Sequence, residues 1–328
     1  MDRQLFARRL RTARQFCGYS LEELARHARL PISRQSLYRY EHGDMLPRAE
    51  VRTSLASVFG VSEDYLTGQS LAIDMPMLRS SAELKLSAEE EQHLEDILSF
   101  WAERYLRLIN NNIGQKPFIN PLTNGPIQTF SDAIDAATRL RMAWAQGDGP
   151  IASVLRLMER KGIMILDHAL PDGIYGLSTW ADGRYPLVVV DMRTSKTTVE
   201  RLRFTTAHEL GHLLLPFEGM DERQQEKCCH KFASFFLFSP TAFVEEMGAQ
   251  HRDTITLAEL IDLKQVYGIS VAAQIHEAYD LGIITRQHYD WWYDEQIQHN
   301  LREEEWGTYA YPETLGREGR LAAIAEKK

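Results

Sequence analysis

Two histidines four residues apart, with a glutamate directly after the first, constrain this chain more than any other feature: Thr205-Thr206-Ala207-His208-Glu209-Leu210-Gly211-His212. Such an H-E-x-x-H run works only on a helix. There, residues four apart stand one turn above each other, and both imidazoles can address one Zn²⁺. Glu209 is rotated to the side, where its carboxylate can take a proton from water. The run implies metal-assisted hydrolysis, most often of a peptide bond. Its flanks agree with a helix. Thr197-Thr198-Val199-Glu200 fits a capping box opening at Thr197. Val199, Leu202, Thr206, Leu210 and Leu213 recur at helical spacing, and Pro216 ends the pattern.

A centre of this kind needs a third protein ligand. The metzincin pattern wants Gly and then His at the positions of Leu215 and Glu218, so that subclass does not fit. Asp221 can cap a second helix running to about Phe238. On it Glu226, Cys229, His230 and Ala233 share a face, while Phe232, Phe235, Phe236 and Leu237 supply packing. Glu226 is the best third ligand. Cys229 and His230 are alternative donors, although a buried thiol is more often plain core. Glu222 and Glu218 are weaker rivals.

Three short strands precede the first of these helices: Ile163 to Asp167, Ile174 to Trp180 and Tyr185 to Asp191. Ala181-Asp182-Gly183 reads as the turn of a hairpin. Pro186-Leu187-Val188-Val189-Val190 is apolar throughout and is expected to be buried on both faces. An edge of this small sheet could hold an extended substrate strand.

The stretch Arg201 to Leu215 resembles the active-site helix of ImmA/IrrE-type metallopeptidases. Glu226-Lys227-Cys228-Cys229-His230-Lys231-Phe232-Ala233 is similar to that family's second motif, E-x-x-A-N-x-F-A, with Cys229 and His230 replacing Ala and Asn. Gly149-Pro150-Ile151, Leu157 to Ile163, Ser239-Pro240 and Leu263 to Ser270 extend the likeness. The resemblance implies a zincin-like domain with His208, His212 and Glu226 on zinc and Glu209 as the base.

Residues 1–68 hold a different pattern. Leu5, Leu10 and Ala13 start a helix that ends near Gly18. Ser20 and Glu23 form a capping box for a second helix, and Ser33 caps Arg34 to Glu41. Val51, Leu55 and Val58 mark a fourth helix, and Val61 to Leu66 a short fifth. Two short helices with a tight connection, the second rich in Arg, Gln, Ser and Tyr, form a helix-turn-helix signature. Arg34, Gln35 and Ser36 would read base edges, and Tyr38 and Arg39 would meet phosphates. This segment carries eleven Arg against eight Asp or Glu, whereas the whole chain carries −9. A weakly basic module on an acidic body suits operator DNA bound by a homodimer. Ser20 to Gly68 resembles the Cro/lambda-repressor (Xre) type of domain. It departs from that type at Leu21, where Gln is common, and in the longer turn Arg29-Leu30-Pro31-Ile32.

The fold class expected is mainly α with a small β-sheet (α+β). An N-terminal all-α helix-turn-helix domain (1–68) precedes a linker and spacer helix (69–129), with 69–86 as linker and Ser87 to Ile109 helical. A zincin-like metallopeptidase domain (130–245) and a C-terminal helical region (246–328) follow. In the last, Leu257 to Tyr267 and Ser270 to Leu281 are helical, and Trp291-Trp292-Tyr293 is an aromatic cluster. The stretch from about Arg302 reads as a charged, mobile tail. Three cysteines, two of them adjacent, argue against a disulfide framework. With no signal peptide and no long apolar run, a cytoplasmic protein away from membranes is expected. A DNA-binding head on a zinc endopeptidase implies a regulator that cleaves a repressor or another protein partner. The alternative is a non-proteolytic antitoxin or repressor whose zinc domain is structural, sensing or toxin-binding.

Overall fold

Among the described residues helices dominate, with one small three-stranded sheet. A computed structural model describes residues 2–28, 31–68, 71–74, 86–112, 114 and 118–325. Arg29 and Leu30 of the expected long turn, and most of the expected linker, lie outside these. Two compact units form: Met1–Pro117 with Thr179–Pro186 and Gly316–Lys328, and Phe118–Ser178 with Leu187–Leu315. Among the described residues, no helix is long and apolar enough to cross a membrane.

The first unit contains α1 (Arg3–Phe16), α2 (Leu21–His27), α3 (Arg34–Glu41), α4 (Ala49–Phe59), α5 (Glu63–Thr67), α6 (Ala88–Asn112) and a C-terminal helix, Arg317–Ala325. Local signals start these helices. Ser20 and Glu23 close a capping box on α2, and the Ser33 hydroxyl accepts from Ser36 N–H at 3.0 Å. Gly60, at φ 72°, ends α4 in the left-handed conformation that a side chain would resist. The helix expected as a spacer, α6, joins the same core. Its Phe100 is fully buried and meets the rings of Phe16, Phe59 and Tyr65 at 5.3, 6.3 and 5.6 Å. Burial of that ring contributes about 1.5–3 kcal/mol. Polar ties reinforce it: Arg8 pairs with Asp96 at 2.6 Å, and Arg107 donates to the Val61 carbonyl. Trp101 Nε1 donates to Glu318 of the C-terminal helix at 3.0 Å.

The second unit contains α7 (Phe130–Ala143), α8 (Val154–Lys161), β1 (Met164–Asp167), β2 (Gly176–Ala181) as far as Ser178, β3 (Tyr185–Val190) from Leu187 onward, α9 (Val199–Leu214) and α10 (Glu222–Leu237), while the β2–β3 hairpin tip belongs to the first unit. The second unit continues through α11 (Pro240–Met247), α12 (Leu257–Tyr267), α13 (Val271–Asp280) and α14 (Arg286–Trp292). The strand order is β1-β3-β2, with β1 parallel to β3 in the register Met164↔Leu187 to Asp167↔Val190. Pro186 to Val190 is buried as expected of a central strand. Asp182 and Gly183, both at positive φ, form the hairpin turn expected there. The edges are therefore β1 and β2. The far end of β2 is paired by the chain itself: Ile73 bridges Ala181, and Asp74 N–H donates to the Trp180 carbonyl.

Phe238, Phe243, Tyr267 and Trp292 build a core among α11 to α14. The aromatic cluster splits: Trp292 is core, whereas Trp291 is 46% exposed. The segment after Arg302 differs from the expected mobile tail. Glu303 accepts from Val271 and Ala272 N–H at the start of α13 and pairs with Lys264 at 2.8 Å. Glu313 accepts from Val154 and Leu155 N–H at the start of α8. These carboxylates satisfy helix N-termini, which carry unpaired N–H groups and a partial positive charge.

Candidate metal centre and helix-turn-helix face

Helix α9 begins one residue later than the capping box predicts. Thr198, not Thr197, accepts from Arg201 N–H, because Glu200 is engaged elsewhere and accepts from Tyr309 N–H at 2.7 Å. Helix α10 begins at the expected cap, where Asp221 and Gln224 exchange hydrogen bonds. The two helices pack closely at Gly211. A Cβ there would stand 3.2 Å from both Cys229 Sγ and a Phe232 ring carbon. This contact sets the α9 histidines opposite Glu226.

His208 Nε2 and His212 Nε2 lie 3.0 Å apart. Each is 3.2 Å from a different oxygen of Glu226: His208 from Oε2 and His212 from Oε1. Burial opposes charge on the Glu226 carboxyl, but the two flanking imidazoles outweigh it and hold its pKa well below the ordinary carboxylate range. Donors on a tetrahedral ion with bonds of 2.0–2.1 Å stand roughly 3.3 Å from one another. The triangle nearly meets that spacing. Two imidazoles facing each other this closely would otherwise compete for one proton. A divalent cation uses both lone pairs and the carboxylate together, so the donor set fits zinc.

Glu209 is only 8% exposed, and its Oε2 accepts from the Ser178 hydroxyl at 2.7 Å. This contact holds the carboxylate on the β2 side of α9. Close approach there requires Gly176: a Cβ would come within 2.6 Å of Thr205 Cγ2 and 3.2 Å of Glu209 Cγ. The sequence reading missed Ser178 and Gly176. A glycine inside an apolar strand was the available signal, since it often marks close backbone approach.

The other candidate donors separate. Cys229 is buried against Gly211. Glu218 accepts from Gln128 at 3.1 Å, and Glu222 is exposed in the first turn of α10. His230 lies near the centre. Potential ligand atoms of His208, Glu226 and His230 fall within 4.8 Å of one another.

Behind the centre, Arg203 on α9 is fully buried and pairs with Glu313. It also donates to the carbonyls of Ile151, Tyr267 and Gly268.

In the first unit, α3 buries Leu37 and Tyr40 and leaves Arg34, Gln35, Tyr38 and Arg39 exposed. Ser36 is half-buried, and its hydroxyl shares a hydrogen bond with Ser33 at 2.9 Å. Arg34 pairs with Glu22 of α2 at 2.5 Å, with both side chains largely in solvent. Such a pair contributes little to stability and leaves Arg34 free to exchange partners. Arg14 of α1 grips the buried Glu41 through two bonds, 2.6 and 2.9 Å, and so fixes the end of α3.

Residues 5–66 match the family model of a helix-turn-helix domain, and residues 158–279 match that of the IrrE N-terminal-like domain. A protein of Thermococcus kodakarensis named "Putative HTH-type transcriptional regulatory protein" is 28% identical over 159 residues, 48% of this chain. The match spans 45% of that relative, so the chain covers under half of its length.

Proposed function

Because the chain carries a helix-turn-helix domain followed by an IrrE N-terminal-like domain, we propose that it is a DNA-binding transcriptional regulator with a zinc-dependent endopeptidase centre. Its substrate is a regulatory protein partner, a repressor or an antitoxin-like protein. The observation that carries the enzymatic half is the triangle of donor atoms from His208, His212 and Glu226, 3.0 to 3.2 Å on each side. When bound there, zinc supplies Lewis-acid polarisation of a carbonyl and acidifies water. Glu209 supplies the base. With Oε2 held by Ser178, the carboxylate takes the proton of the attacking water and returns it to the leaving amine. The edge strand β2, bearing Ser178 beside Glu209, is where an extended peptide would lie. Glu226→Ala tests the centre. The wild-type chain is expected to take up one zinc ion per chain, and the variant to bind it at least about tenfold more weakly in chelator competition. Equal affinity would reject the ligand set.

For DNA, Arg34, Gln35 and Ser36 at the start of α3 face base edges, and Tyr38 and Arg39 face phosphates, in a cytoplasmic homodimer on an operator. A duplex selected by the wild-type chain from a randomised pool provides the probe. Arg34→Ala and Gln35→Ala are each expected to weaken it by about 5- to 150-fold, the equivalent of 1–3 kcal/mol for a base contact, with zinc content unchanged. Undiminished binding would remove these two as readers. A second reading, a non-proteolytic repressor or antitoxin with a structural or sensing zinc site, draws support from His230, a further donor beside the centre.

A further inference from the structure

We infer that His230 is a fourth protein ligand of the ion held by His208, His212 and Glu226, so that the centre at rest is closed by side chains. This rests on the metal centre proposed above. His230 stands one turn after Glu226 on α10, and its ligand atom falls within 4.8 Å of those of His208 and Glu226. Its ring lies 4.6 Å from that of His208 and stacks on Phe204 at 5.8 Å, with 24° between the planes. The imidazole therefore lies beside the donor triangle.

A neutral imidazole offers a metal the lone pair of one ring nitrogen, so a histidine this close to two donors of the triangle is a ligand in kind. His230 is also exposed, so its ring has room to turn. Its ligand atom lies within 4.8 Å of those of His208 and Glu226, and a turn of the ring is what brings it to the roughly 3.3 Å spacing of tetrahedral donors. Cys229, the other candidate donor on this face of α10, is committed to the Gly211 contact.

Four protein ligands make a closed centre, whereas hydrolysis needs one position open to water or substrate. His230 thus acts as an internal competitor at that position. The centre is latent until a substrate carbonyl, a water molecule or a shift of the ring displaces it.

X-ray absorption on the zinc-loaded full-length chain counts the imidazoles on the metal, and chelator competition gives the affinity. Three imidazoles are expected in the wild type and two in both His230→Ala and His230→Asn, with affinity at least about tenfold lower in the variants. Urea denaturation of the zinc-free variants that matches the zinc-free wild type shows that they are folded. Two imidazoles in the wild type, with unchanged affinity in both variants, would overturn the inference and leave the three-ligand centre standing. A wild-type chain that takes up no zinc, or a His208→Ala chain that binds it undiminished, would overturn both.

Discussion

Arg203→Met is expected to destabilise the second unit by about 3–5 kcal/mol, as breaking a buried ion pair from one side does. The loss has two parts. Glu313 would be left as a buried carboxylate facing only the α8 N-terminus and the Ser153 hydroxyl. The carbonyls of Ile151, Tyr267 and Gly268 would each lose a charged donor. The Gly268 contact leaves little room for rearrangement, because a Cβ at that position would stand 2.4 Å from Arg203 Nε. Urea denaturation of the full-length chain measures the effect, and Glu313→Gln supplies the second arm of a double-mutant cycle. The double variant should lose less than the two singles together, since each single strands the other's partner. A loss below about 1 kcal/mol for Arg203→Met would show that the guanidinium is not what anchors α9. That anchor matters for chemistry because Arg203 precedes His208 by five residues on one rigid helix.

These dependencies also show where the sequence is readable. Helix α10 and its cap at Asp221 follow from local chemistry, as do the Ser20 box and the Ser33 cap. A side chain three residues from an unpaired N–H is a short-range event. The shared face of His208 and His212 is likewise legible, because helix periodicity dictates which residues stand one turn apart. What is not legible is long-range. Thr197 and Thr198 are equivalent as caps until Glu200 is claimed by Tyr309, 109 positions away. Glu303 and Glu313 look like charges on a solvated tail, yet they cap helices that begin 32 and 159 residues earlier. Phe100 reads as one apolar position on a spacer, and only packing shows that it completes the core of α1, α4 and α5. Ser178 gives no signal of its own. Its role exists only because Gly176 lets β2 approach α9.

Glu209→Gln is expected to lower hydrolysis by about 10²- to 10⁴-fold, the usual contribution of a positioned general base, while zinc content stays at the wild-type level. The substitution is nearly isosteric, so the Ser178 hydroxyl keeps an oxygen to donate to. The metal is spared because Glu209 stands outside the triangle formed by His208, His212 and Glu226. Only the capacity to accept and return a proton is removed. The readout is the set of new protein N-termini in cells that express the wild-type chain or the variant at matched abundance. Termini present with the wild type and missing with Glu209→Gln would identify the cleaved partner and its scissile bond together. Ser178→Ala should give an intermediate loss, since it frees the carboxylate without neutralising it. If partner cleavage and gene regulation both survive Glu209→Gln, this carboxylate is not the base and the peptidase assignment is lost. If regulation survives while cleavage disappears, the DNA-binding head acts without the hydrolytic centre. A zinc site closed by His230 would then be the state in which the regulator spends its time.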